Sequence, residues 1–83
     1  MPRVFSEAGL RFHFYAHEGL PREPVHIHVA RAGADAKFWL TPNVLLARND
    51  GLKAQELRLA REIATRRRED LIDAWNTFFA KSD

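Results

Sequence analysis

The chain has 83 residues, no cysteine and a formal net charge of +2, which predicts one domain over residues 1–83 and excludes disulfides and thiolate metal sites. Hydrophobic residues make up 46% and charged residues 29%, a balance typical of globular rather than disordered chains. Because no apolar stretch reaches the roughly 20 residues of a membrane span and the N-terminus lacks an apolar signal segment, we expect a cytoplasmic protein without membrane contact.

The N-terminal half alternates between apolar and polar side chains, as half-buried strands do. Residues 9–16 predict a first strand, and residues 25–31 predict a second that opens after Pro24. A tight turn at residues 32–33 leads to a third strand at residues 34–40, and residues 44–47 predict a short fourth strand.

From Leu52 onward the apolar period becomes helical, in two stripes on either side of an arginine run. The first stripe consists of Leu57, Ala60, Ile63 and Ala64; the second consists of Leu71, Ile72, Trp75, Phe78 and Phe79. We predict two helices with a break near residue 66, where Thr65 is a candidate cap for the second. One continuous helix is the alternative.

Strands followed by helices, without βαβ alternation, predict an α+β fold. We expect an antiparallel sheet of three to four strands, an N-terminal meander, with the C-terminal helices covering one face. The side chains predicted for the covered face are Leu10, Phe12, Phe14, Val25, Ile27, Val29, Ala36, Phe38 and Leu40.

Strand alternation leaves a second face that is rich in histidine and aromatic residues. This face is predicted to carry Arg11, His13, Tyr15, His26, His28, Asp35, Lys37 and Trp39, with His17 near the end of the first strand. Because partly exposed aromatic groups on a polar surface are typical of binding sites, we take Arg11, Tyr15, His17, Lys37 and Trp39 as candidate binding residues.

Three interpretations of the histidines remain open. A His-x-His pair on a strand can be solvated or can pair across strands without any further role. Alternatively, His13, His26 and His28 could ligate zinc with Asp35 or Glu23, although we expect no cofactor. They could also act as acid and base on RNA while Arg11 and Lys37 hold phosphate, which makes these three histidines the candidate catalytic residues.

The arginines of the helical region are interleaved with acidic residues. They are Arg58, Arg61, Arg66, Arg67 and Arg68, and the acidic residues are Glu56, Glu62, Glu69 and Asp70. The pattern favours a salt-bridged, solvated face, and phosphate contact is the alternative.

The chain resembles a small bacterial family called domain of unknown function 4160. The matching stretches are REPVHIHV at residues 22–29, DAKFWL at 35–40 and EDLIDAWNTFF at 69–79, within a resemblance that covers residues 4–79. Genes of this family often lie beside that of a second small protein, and such pairs have been proposed as toxin–antitoxin modules. The resemblance implies a small protein partner from an adjacent gene, with this chain as the toxin-like half.

Two alternative functions also remain open. One is a small ribonuclease or metal-dependent hydrolase built on the histidines, and the other is a module that binds RNA or DNA. Dimerisation through the aromatic face is a further alternative for a domain this small.

Overall fold

The computed structural model describes residues 3–15 and 23–80. Within these residues the strands are β1 (Arg3–Glu7), β2 (Leu10–His13), β3 (His26–Arg31), β4 (Ala34–Trp39) and β5 (Leu45–Asp50). The helices are α1 (Ala54–Arg66) and α2 (Arg68–Ala80). The α+β class and the antiparallel sheet followed by C-terminal helices are confirmed, but the sheet has five strands, so the prediction of three to four was wrong.

The strand that the sequence did not predict is β1. It pairs with β2 through a two-residue turn in which Ala8 and Gly9 have φ values of 54° and 81°. The turn between β3 and β4 repeats this geometry, with Ala32 at 48° and Gly33 at 84°. Positive φ at both central residues is the geometry of tight hairpin turns. The same Ala-Gly pair thus occurs at both turns. The pair Ala8-Gly9 is therefore the sequence feature that indicates a hairpin, and with it the strand β1.

The sheet is a meander in which each strand pairs antiparallel with its neighbour in the sequence. β5 extends to Asp50, three residues beyond the predicted end of the fourth strand. Its register shifts where Lys37 pairs with Arg48 and Phe38 pairs with Leu46, so Ala47 is an extra residue in β5. This bulge lies at one edge of the sheet, where bulges commonly limit further strand pairing.

The core lies between one face of the sheet and the two helices, as predicted. Its buried side chains from the sheet include Phe12, Ile27 and Phe38, and those from the helices include Ile63 and Trp75. Burying one such large side chain contributes about 1.5–3 kcal/mol before the loss of conformational entropy. Val25 is only partly buried against this core.

The two helices meet at Arg67, which confirms the predicted break near residue 66. Thr65 does not cap the second helix: it lies inside α1, where its hydroxyl donates to the Arg61 carbonyl at 2.7 Å. Backbone hydrogen bonding continues across the junction, because the Leu71 amide donates to the Arg67 carbonyl at 2.9 Å. Neither helix is long and apolar enough to cross a membrane.

Candidate functional site

His13, His26 and His28 lie side by side, and we call them the histidine cluster. His13 ends β2 and pairs with His28 in the middle of β3, whereas His26 is the first residue of β3. The rings of His13 and His28 stack with centroids 5.5 Å apart, and the ring of His26 meets that of His28 edge-on at 5.1 Å. The three predicted catalytic residues are therefore brought together.

The histidine cluster is buried, with exposed fractions of 3% for His13, 0% for His26 and 2% for His28. Of the alternatives left open for these histidines, burial argues against solvated rings, and His13 and His28 pair across neighbouring strands. Tyr15 packs against the rings of both His13 and His28, at centroid distances of 5.0 and 4.5 Å. The cluster thus resembles an interior contact more than an open face.

Trp75 of α2 covers the other end of the histidine cluster. Its indole lies 4.8 Å from the His26 ring, 5.3 Å from Phe14 and 4.3 Å from Phe79. Phe14 belongs to the core, whereas alternation assigns His26 to the opposite face of the sheet. Trp75 therefore contacts side chains from both faces of the sheet. Helical spacing identified Trp75 only as a core residue, and nothing in the sequence indicated its second contact.

A charged pair borders the cluster beside Trp39. The Lys37 ammonium is 2.8 Å from a carboxylate oxygen of Glu23 and 4.5 Å from the centre of the Trp39 ring. Trp39 in turn meets the ring of His26 at 5.7 Å. Lys37 is poorly placed to hold a phosphate, because Glu23 compensates the charge of Lys37 and the Lys37 side chain is only 13% exposed.

The hydrogen bonding of His26 defines the tautomer of its ring. Its Nδ1 lies 2.9 Å from the carbonyl oxygen of Pro24 and 4.0 Å from the nearest carboxylate oxygen of Glu23. A carbonyl oxygen can only accept, so Nδ1 carries the proton and donates it. The carbonyl of Pro24, two residues before β3, therefore orients the ring that Trp75 covers.

Arg11 and Asp35 do not join the cluster. Arg11 is exposed on β2 and forms no ion pair with the residues that the structure describes, and Asp35 lies 4.0 Å from Arg48. His17 lies outside the described residues. Across residues 3–15 and 23–80, no three His, Asp or Glu side chains are arranged to hold a metal ion. Catalytic and metal-binding roles for the histidines stay predictions.

Among the described residues, the large hydrophobic side chains that are exposed lie elsewhere, on the edge strand β5. All six residues of β5 are exposed, and Leu45 and Leu46 keep 48% and 47% of their surface accessible. We call this surface the β5 edge; it ends at Arg48, which pairs with Asp50 at 3.0 Å. The sequence predicted an ordinary short strand here, and the signal that was missed is the adjacent pair of leucines.

Comparison with protein-family models matches residues 9–76 to a domain of unknown function, DUF4160. The match runs from Gly9, in the turn before β2, to Asn76 in α2, so it includes the histidine cluster, Trp75 and β5. Neither the curated proteins nor the solved structures give a significant match. The match covers most of the chain and confirms the resemblance found in its sequence, and the chain therefore belongs to the DUF4160 family.

Proposed function

We propose that this chain is a protein-binding module that takes up an extended segment of a small partner protein along the β5 edge. The observation that carries the proposal is the exposure of Leu45 and Leu46 on the outermost strand of the sheet. Large apolar side chains adjacent to one another on an otherwise charged surface favour an interaction site.

The chemistry of a strand edge favours a polypeptide as the ligand. An edge offers backbone N–H and C=O groups at strand spacing, and an extended peptide matches them while placing its own side chains beside those of the edge. Leu45 and Leu46 point to opposite faces of the sheet, so a bound segment could be held on both sides. The bulge at Ala47 and the pair of Arg48 with Asp50 would limit pairing at the other end of β5.

The opposite edge of the sheet is a weaker candidate, because its side chains already have contacts. Phe5 of β1 stacks on Phe12 at 4.5 Å, and the guanidinium of Arg67 lies 3.7 Å from the centre of the Phe5 ring. Glu7 pairs with both Arg66 and Arg67 at the junction of the helices. A partner at β1 would have to displace these groups, whereas β5 needs no such rearrangement.

The specific form of the proposal follows from the family. We take the partner to be the small protein encoded beside this one, and this chain to be the toxin-like half of a cytoplasmic pair of the toxin–antitoxin type. Toxicity would then appear when this chain is produced alone and would be relieved by the partner.

The test is the affinity of the purified chain for the product of the adjacent gene, measured by isothermal titration calorimetry. Each leucine is about half exposed, so losing both from the interface costs roughly 2 kcal/mol, or about 30-fold in Kd. We expect that loss for Leu45→Lys/Leu46→Lys. The matched control is Asn76→Lys/Thr77→Lys, which adds the same charge to exposed positions on α2.

Two results would overturn the proposal. One is the absence of a complex with the neighbouring protein. The other is equal weakening by both double variants, which would place the interface away from the β5 edge. Self-association of the wild-type chain that the leucine variant abolishes would assign the edge to a second copy instead.

A small ribonuclease or metal-dependent hydrolase is the second candidate, favoured by the contacts of the His28 imidazole with those of His13 and His26 and with Tyr15. Adjacent imidazoles can supply an acid and a base. We would expect RNA cleavage by the wild type to be lost in His13→Gln/His28→Gln and retained in Glu69→Gln, at an exposed position on α2. Cleavage that survives in a folded His13→Gln/His28→Gln protein removes this candidate.

A further inference from the structure

One face of α1 carries arginines that have no acidic partner among residues 3–15 and 23–80. Arg58, Arg61 and Thr65 follow one another at three- and four-residue spacing and are exposed. In the part of the chain that the structure describes, neither Arg58 nor Arg61 forms an ion pair, nor does Arg68 at the start of α2. We call Arg58, Arg61, Thr65 and Arg68 the arginine surface.

Other arginines in the described residues differ in this respect. Arg31 lies 3.5 Å from a carboxylate of Glu56, and Arg48 lies 3.0 Å from Asp50. Arg66, which borders the arginine surface, pairs with Glu7. Of the helical arginines predicted to pair with interleaved acidic residues, Arg67 does so, 3.9 Å from Asp70. The arginine surface is the part of the sequence pattern that departs from this prediction.

Two shallow depressions meet on the arginine surface. One is lined by Arg58, Arg61, Glu62, Thr65 and Arg66. The other is lined by Pro42, Asn43, Val44, Arg61, Thr65 and Arg68. They share Arg61 and Thr65, so together they form one track across α1 toward the turn that precedes β5. Glu62 is the single acidic group among these lining residues.

The guanidinium of Arg68 is held in place at the end of this track. Its Nε donates to the Leu40 carbonyl at 2.6 Å, and its Nη2 donates to the Pro42 carbonyl at 3.1 Å. Carbonyl acceptors orient the group without neutralising its charge. A guanidinium has five N–H donors, so others remain for a ligand, and an oriented side chain loses little entropy on binding.

We propose that the arginine surface binds successive phosphates of a nucleic-acid backbone. One guanidinium group can donate two parallel hydrogen bonds to the oxygens of a phosphate, because the two groups match in geometry. Arg61 lines both depressions, Arg58 lines the first and Arg68 lines the second. A ligand with repeated negative charges therefore fits this surface better than a single anion. The distance along α1 from Arg58 to Thr65 is about 10 Å, long enough for more than one phosphate.

The lining of the track indicates that binding is independent of base sequence. No aromatic side chain is among the residues that line either depression, so bases find no ring on which to stack. Contacts to phosphate position a nucleic acid but carry no direct sequence information. This inference goes beyond the proposed binding of a protein partner, because the β5 edge and the arginine surface use different residues.

Fluorescence anisotropy with a labelled 20-nucleotide RNA, measured over a series of salt concentrations, tests the inference. Each phosphate contact contributes about 0.7 to the slope of log K against log salt for a single strand, and about 0.9 for a duplex. For Arg58→Gln/Arg61→Gln we expect the slope to shrink by about 1.4 with the RNA. The control Arg31→Gln/Arg48→Gln removes the same charge elsewhere and should nearly keep the wild-type slope.

Three outcomes would overturn the inference. The first is no salt-dependent binding of RNA or duplex DNA by the wild type at 50 mM salt. The second is an equal change of slope in both double variants, which would reflect net charge rather than a site. The third is binding of inorganic polyphosphate without binding of either nucleic acid. Melting temperatures near that of the wild type would show that the variants are folded.

Discussion

The indole of Trp75 meets the imidazole of His26 at 4.8 Å and at an angle of 61°. This contact joins α2 to the first residue of β3, while the same indole packs on Phe14 at 5.3 Å. Both Trp75 and His26 are almost fully buried. Strand alternation assigns His26 to the outer face of the sheet. The residue that covers it, Trp75, nevertheless also packs in the core.

Trp75 should consequently be among the residues on which stability depends most. Replacing a buried tryptophan by alanine typically costs about 3–5 kcal/mol, a large part of the stability of a small domain. We expect Trp75→Ala to lower the free energy of unfolding by that amount, and Trp75→Phe to lower it by less. Urea unfolding followed by circular dichroism measures both. A loss below about 1 kcal/mol for Trp75→Ala would contradict the role assigned to this contact.

Ile27 tests the assignment of the sheet faces. Its side chain is fully buried between the sheet and the helices, so Ile27→Asp would place an unpaired charge in the core and should unfold the domain. Arg11→Asp, on the exposed side of the adjacent strand, is the control and should remain folded. A cooperative unfolding transition of Ile27→Asp, with near-wild-type circular dichroism, would show that the faces have been assigned incorrectly.

Arg68 should contribute to stability through the turn that it holds. Arg68→Gln removes donors to the Leu40 and Pro42 carbonyls, and hydrogen bonds from a charged group contribute about 1.5–3 kcal/mol. We expect a loss of about 2 kcal/mol in the free energy of unfolding. Arg61→Gln, which breaks no ion pair within the described residues, should change it by less than about 0.5 kcal/mol. Equal effects of the two substitutions would argue against a structural role for Arg68.

Zinc should leave the stability of the protein unchanged. The described histidines contact one another through ring faces and edges, and they form no group of three or more ligands with the carboxylates there. Ligands that bind only the folded state raise the melting temperature, so thermal unfolding with and without added zinc is a direct measurement. Stoichiometric zinc in protein purified without an affinity tag, together with a rise of several degrees, would contradict this expectation.

The sequence predicted the parts of the fold that depend on local periodicity. Alternation placed Phe12, Ile27 and Phe38 on one buried face, and the change to helical spacing placed Ile63 and Trp75 opposite them. The break between the helices was also predicted, at one residue from Arg67. These features depend on which side of an element a residue occupies, and that is a property of neighbouring positions in the chain.

Only the tertiary structure decided what each exposed position meets. Arg66 pairs with Glu7, 59 residues away, whereas Arg58 and Arg61 on the preceding turns of α1 do not pair within the described residues. The outermost position of β5 leaves Leu45 and Leu46 accessible, although the same pair would be buried in a central strand. Trp75 buries His26 because α2 packs at the end of the sheet where β3 begins. Periodicity specifies the direction of a side chain, but its partner comes from a distant segment whose position depends on the packing of the whole domain.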